Sequence, residues 1–360
     1  MASNSFEGWL PVDAVVVQGR PGLLWMNMNG VDFAEPFFQQ TVDRAKLEQP
    51  ARAERFTEFD TLVQLEKDFA SVPPTGFIFH SSRCGSTLLA NACRAIEGSI
   101  VLSEPPAVDK LAARFITDVD EPVGQTFLSG SDSLHATGDR QEYLSYASTK
   151  ELLYCIFLRA TVTALGQRRT GRERRLFVKF ACCSVSQLER IRRIWPNVPW
   201  VFLYRDPIET VVSNMQNLPT WLQDDDHRVL ASITGASTAE VAQMSKEELC
   251  ARSLGSFYTT AHRVANDRAL LLNYNQLSTA EIANVLKFFG VIPTEAEMET
   301  IARQSHNYSK ATLARRFVAD TESKHTLATD FIREAAARWA NKPYQLLEHK
   351  RLGISNDDVI

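Results

Sequence analysis

The sequence predicts an α/β fold: a central, mainly parallel sheet of about five strands flanked by helices, preceded by an N-terminal β-hairpin and helix. Three observations carry that expectation. Short apolar runs recur at "FIFHSS", "SIVLSE", "RLFVKF", "WVFLYR" and "ALLLNYN", and amphipathic stretches at residues 87–97, 149–167, 185–195, 208–217, 246–266 and 280–289 separate or follow them. Strands that are apolar on both faces and alternate with helices belong to a parallel sheet covered on both sides. The first strand also runs straight into "SSRCGST", a small-residue turn that opens a helix.

Taken in order, residues 1–75 read as an N-terminal extension, residues 76–350 as the main domain and residues 351–360 as a tail. The apolar runs "AVVV" and "LLWMNM" flank "QGRPG", where Pro and Gly favour a reversal, so a hairpin is expected there. From Thr41 to Phe69 the pattern is charged and helical, with Leu47, Phe56, Leu62, Leu65 and Phe69 as apolar contacts. "SVPPTG" then breaks the chain before the first buried strand. Residues 118–146 and 218–246 are polar and rich in Gly, Ser and Asp, which reads as long loops, equally well lids or solvated surface.

Composition narrows the function. With 360 residues, 44% of them hydrophobic, the chain can build a large core. A formal net charge of -4 argues against a general nucleic-acid binder, so any anion site must be local. The six cysteines show no CxxC or zinc spacing, which points to a reducing compartment. No basic start followed by a long apolar core opens the chain, and the run from Leu152 to Gly166 is too short for a bilayer and contains Arg159. A cytoplasmic protein without membrane or nucleic-acid partners is expected. The seven histidines are scattered and Asp224 to Asp226 reads as a solvated turn, so no metal is expected.

A strand leading through "SSRCGST" into a helix presents backbone N–H groups and the positive end of a helix to an anion. Gly85 permits close backbone approach, Ser86 and Thr87 add hydroxyls, and Arg83 adds a permanent charge. The lysine of the nucleotide-triphosphatase loop is missing, because Ser86 follows Gly85 directly. Alone, this loop is equally well read as an ordinary strand-to-helix turn with a capping serine. A second signal adds to it. "WVFLYRDPIETVVSNM" places Arg205 at a strand end and Ser213 two helical turns further on, able to face the same crevice.

Together, "SRCGSTLL" and "YRDPIETVVSN" resemble the two phosphate-binding elements of sulfotransferases that use 3′-phosphoadenosine 5′-phosphosulfate, and with them the P-loop nucleotide-binding fold of that family. In motif pattern the similarity runs toward the tyrosylprotein sulfotransferases and their bacterial relatives. That resemblance implies a first loop, Arg83, Cys84, Gly85, Ser86, Thr87 and Leu88, gripping the 5′-phosphosulfate, with Arg205 and Ser213 on the 3′-phosphate. It implies a catalytic glutamate at Glu104 and a lysine at Lys179, with Tyr274 kept in "NYNQL" although Asn275 replaces a glutamate. It also implies a cofactor-covering loop in "YSKATLARRFVADTESK", with Ser309, Lys310 and Lys324 near the nucleotide. Cys84 replaces a common serine, and the membrane anchor and secretory disulfides of the tyrosylprotein enzymes are not seen, so the reaction carries over and the acceptor does not.

The reaction so implied moves a sulfuryl group in line to an acceptor hydroxyl, or secondarily an amine, on a small molecule or peptide. Glu104 would act as general base, while Arg83, Lys179 and the loop N–H groups would stabilise charge on the leaving oxygen. Taken singly, Glu104 reads as a strand-end carboxylate paired with a lysine and His80 as a hydrogen-bonded core histidine, with a rival role as base. Two other readings stay open: a nucleotide-kinase-like phosphotransferase, which calls for a loop lysine, and a non-catalytic nucleotide-binding module.

Overall fold

The computed structural model describes residues 6–117, 146–223, 227–305 and 321–354. Two sheets organise them. In the first, β1 (Trp9–Val17), β2 (Arg20–Asn27) and β3 (Glu54–Glu58) pair antiparallel in that order. The expected hairpin is present, and it reverses at Gln18 and Gly19, whose φ of 51° and 79° fit the left-handed turn that matches strand twist. The expected helical stretch from Thr41 to Phe69 is corrected. A helix spans Phe38–Glu48, β3 follows, and the short helix Phe59–Leu65 comes after it. "ERFTE" hides its strand because it lies at a sheet edge, where charged side chains face water and little apolar alternation is needed.

The second sheet holds the five strands the apolar runs predicted: β4 (Pro74–His80), β5 (Ser99–Ser103), β6 (Arg175–Lys179), β7 (Trp200–Tyr204) and β8 (Ala269–Asn273). All pairs are parallel and the order is β5-β6-β4-β7-β8. From the central strand β4 the chain crosses first to β5 on one side and only later to β7 on the other. The strand order therefore reverses beside β4, and ligands in such sheets sit beyond the carboxyl ends at that place. The register pairs Ser103 with Lys179 and His80 with Leu203. The residues just past these ends are thereby forced together.

A single apolar cluster joins the N-terminal sheet to one face of the main sheet, running from Leu23 and Trp25 through Phe79 and Phe202 to the helix Lys246–Val264. Phe79 stacks on Phe180 at 4.7 Å. The other face is covered by the helices Ser86–Arg94 and Thr279–Phe288, which close over Ile78, Phe177 and Val201. Each such buried side chain contributes about 1.5–3 kcal/mol, so residues 6–73 are held to the sheet by ordinary apolar burial.

The region expected as a long loop at 218–246 is also corrected. It contains the helices Thr220–Gln223, His227–Thr234 and Thr238–Gln243. Ser237 and Ser245 cap successive helices, each in a reciprocal box with a glutamate three residues on. Polar, Ser-rich composition here marks helix starts rather than irregular chain. The other expected loop, 118–146, lies outside the described residues apart from Tyr146, where a helix begins. All six cysteines are free thiols, and no helix among the described residues is long and apolar enough to cross a membrane.

Candidate active site

β4 ends at His80, and the chain turns through residues 81–85 into the helix Ser86–Arg94. Ser82 and Arg83 have φ of 75° and 50°, and Gly85 has φ of 82°. The positive φ of Gly85 strains any side chain there, and a Cβ would also stand 2.4 Å from Leu277 Cδ2, so glycine suits this position. A turn built on left-handed residues before a helix N-terminus is the kind of backbone that can hold an oxyanion. In the first turn of the helix that follows, the Thr87 hydroxyl is buried and has no hydrogen-bond partner among the described residues. A buried hydroxyl left in that state is costly unless a ligand completes it.

Glu104 follows β5 directly, with φ of 51°. Four non-glycine residues among those described have positive φ, and three of them, Ser82, Arg83 and Glu104, stand here, so backbone strain is concentrated at one crevice. The Glu104 N–H donates to the Lys179 carbonyl at 2.7 Å, which fixes the strand end. The Lys179 ammonium donates to the Glu104 carboxylate, and His80 Nε2 lies 3.4 Å from the same oxygen. His80 Nδ1 accepts the Ser82 N–H at 3.1 Å, which places the proton of the neutral ring on Nε2, facing Glu104. Lys179 is 1% exposed as a side chain and Glu104 28%, so the carboxylate is the open member of the pair. Burial raises the Glu104 pKa, but the Lys179 charge and the His80 contact outweigh it and hold the carboxyl well below the usual carboxylate range.

Asp109 lies one turn further on, in the helix Pro106–Thr117, and accepts from the Ala181 N–H and the Ser184 hydroxyl. Burial, reinforced by the charge of Glu104, pushes its pKa up to about 7. The two carboxyl groups therefore differ sharply in proton affinity. From the N-terminal extension, the Phe37 ring reaches the Lys179 ammonium, 4.9 Å from ring centre to nitrogen.

Across the crevice, Arg205 follows β7 and donates to Glu209 at 2.6 Å, while its guanidinium lies over the Tyr274 ring at 4.2 Å. Tyr258 holds the Arg205 carbonyl at 2.8 Å. Asp206 caps the helix Pro207–Gln216 by accepting the Glu209 N–H, and Ser213 lies half-buried on that helix. Lys324, expected on a covering loop, sits instead in the short helix Thr321–Leu327, buried, with its ammonium bonded to Gln216. Ser309 and Lys310 lie outside the described residues.

Arg83, assigned from sequence to the leaving oxygen, turns toward that same helix, donating to Asn214 Oδ1 at 3.1 Å and to the Asn217 carbonyl. Cys84 is buried and donates to the Leu203 carbonyl at 3.2 Å, and Leu88 packs in the apolar cluster beneath the loop. The sequence placed His80 in the core but did not pair it with Glu104, and it assigned nothing to Phe37, Asp109, Glu209 or Asn214. No metal site was expected. Asp206, Glu209 and His325 do group closely enough to hold an ion. Arg205 already occupies Glu209, and the helix cap occupies Asp206.

Residues 74–295 match the sulfotransferase family, and the chain belongs to it. Among solved structures, a sulfotransferase from Alicyclobacillus acidocaldarius is 14% identical, with 80% of this chain and 98% of that one covered and a TM-score of 0.41. A Mycobacterium avium sulfotransferase is 11% identical over 82% and 80% of the two chains, with a TM-score of 0.39. No curated protein matches by sequence. These relatives are bacterial sulfotransferases; the narrower likeness to the tyrosylprotein enzymes rests on the short motifs alone.

Proposed function

We propose that this sulfotransferase uses 3′-phosphoadenosine 5′-phosphosulfate as donor and passes its sulfuryl group to an acceptor hydroxyl, with Glu104 taking the proton. One observation carries the reading: a half-open carboxylate, held on Lys179 and His80, stands at the strand ends beside the left-handed loop 82–85. The donor brings a sulfuryl group on a phosphate leaving group. The loop N–H groups and the Thr87 hydroxyl would hold its 5′ end, and Arg205, Ser213 and Lys324 suit the 3′-phosphate. Leu277 and Tyr274 pack against Gly85 where a side chain would otherwise stand.

Despite burial, the Lys179 charge and the His80 contact favour the ionised form of Glu104, which leaves it free to accept a proton but makes it a weak base. Lys179 can turn its N–H groups to an incoming sulfate. The added negative charge would offset part of the Lys179 field at Glu104 and raise its basicity while the anion is bound. His80 has its Nδ1 lone pair engaged by Ser82, so it orients Glu104 rather than replacing it. Arg83 ties the loop to Asn214 and Asn217 and thereby joins the two anion-binding elements.

The test is binding followed by transfer. 3′-Phosphoadenosine 5′-phosphate should bind at least about tenfold tighter than adenosine 5′-phosphate, the usual value of a charge-assisted contact. Labelled sulfate should pass from the donor to alcohols without added magnesium. Equal affinity for the two nucleotides would sink the donor assignment.

A further inference from the structure

The N-terminal extension lies outside the matched region 74–295, yet it places a side chain on the catalytic lysine. Phe37 is followed by Phe38, which is 3% exposed and anchors the helix Phe38–Glu48 in the core. Phe37 itself is only half-buried. The stretch leading to it is fixed from several sides. Glu35 accepts from Thr41 at 2.8 Å and from Arg44, and the Phe37 N–H donates to Gln40 at 3.3 Å. Phe33 stacks on the Arg169 guanidinium at 4.0 Å. The Phe37 ring is thus presented on a rigid support, as site residues must be.

Lys179 has two neighbours that bear on chemistry. One is the open carboxylate of Glu104 and the other is this ring. Both contact one ammonium, so ring and carboxylate lie within the span of a small acceptor, and an alcohol bound to Glu104 on the ring's side would lay its carbon frame on Phe37. A benzyl ring offers no hydrogen bond, and a charged or heavily hydroxylated frame laid against it would lose its water without replacement. An aromatic or alicyclic frame gains by the same contact.

We propose that Phe37 is the specificity-determining wall of the acceptor site, and that the acceptor is a neutral small molecule carrying its hydroxyl on an aromatic or other apolar frame. The inference rests on the sulfuryl-transfer reading above and adds the substrate class. Phe37 is a positioning residue here: it orients the acceptor against Glu104 and takes no part in proton or sulfuryl movement.

The experiment compares phenethyl alcohol and cyclohexanol with glucose and a serine peptide as acceptors for the full chain, alongside titration with 3′-phosphoadenosine 5′-phosphate. The wild type should favour the first two in kcat/KM by at least about tenfold. Phe37→Leu, which keeps apolar bulk without the ring, and Phe37→Ala should raise KM for phenethyl alcohol by about tenfold, with kcat and nucleotide affinity changed far less. Phe37→Tyr should restore most of the wild-type KM. A wild-type preference for glucose or the peptide overturns the inference alone, as does an equal loss on every acceptor in both Phe37→Leu and Phe37→Ala. Failure of the nucleotide to bind the wild type overturns the donor reading, and this inference with it.

Discussion

Two carboxylate–cation pairs stand at the strand ends of this protein, and they differ in access rather than in chemistry. Lys179 and Glu104 are 75 residues apart and are joined by the β5–β6 register, whereas Arg205 and Glu209 are one helical turn apart. A histidine attends each, His80 at 3.4 Å from Glu104 and His325 at 3.6 Å from Glu209. In the second pair both side chains are closed off, 5% and 2% exposed, while in the first the carboxylate remains 28% exposed. The closed pair fixes its arginine in place, with only the guanidinium left to meet the 3′-phosphate of the proposed donor. An open one can meet a substrate.

Removing each partner in turn tests this difference in access. Glu209→Ala leaves the Arg205 guanidinium buried without its carboxylate, and should lower unfolding free energy by about 3–5 kcal/mol in chemical denaturation. Glu104→Ala leaves the Lys179 ammonium, 1% exposed, unpaired in the same way, so a comparable loss of stability is expected there and the two sites separate by turnover rather than by stability. Lys179→Met should lower turnover by about a hundredfold to a thousandfold, as expected for a donor aimed at developing charge. Single-turnover measurements at saturating donor check this, and a tenfold or smaller loss would return Lys179 to a packing role.

The smallest expected effect concerns Asp109, whose pKa burial pushes up to about 7. The folded state holds its proton to a higher pH than the unfolded chain does. Its contribution is therefore full below the ordinary carboxylate range and is lost as pH rises toward 7. Asp109→Asn keeps an oxygen for Ala181 and Ser184 but cannot ionise. Its denaturation midpoint should gain on the wild type progressively between about pH 4 and pH 7. A constant difference across that range would show that Asp109 is ionised throughout.

The five parallel strands were legible because both of their faces are buried, so each reads as an unbroken apolar run. β3 and the short helices between Thr220 and Gln243 were not, since an edge strand and capped surface helices need few apolar residues. At the site, position along the chain was enough to place Arg83, Glu104, Lys179, Arg205 and Tyr274 at or just past strand ends. Direction was not. Arg83 turns away to Asn214, a partner 131 residues distant, and Phe37 meets Lys179 from a segment with no motif of its own. Side chains that meet across the fold leave no local spacing to read.

If Glu104 is the base, its carboxylate is needed for proton transfer and not for nucleotide binding. Glu104→Gln keeps the shape and removes the basicity, so nucleotide affinity and turnover measured on the same sample separate the two roles. With an aliphatic alcohol as acceptor, which cannot ionise unaided, affinity for 3′-phosphoadenosine 5′-phosphate should stay within about twofold while turnover falls by at least about a hundredfold. Near-normal turnover by the glutamine variant would contradict the account.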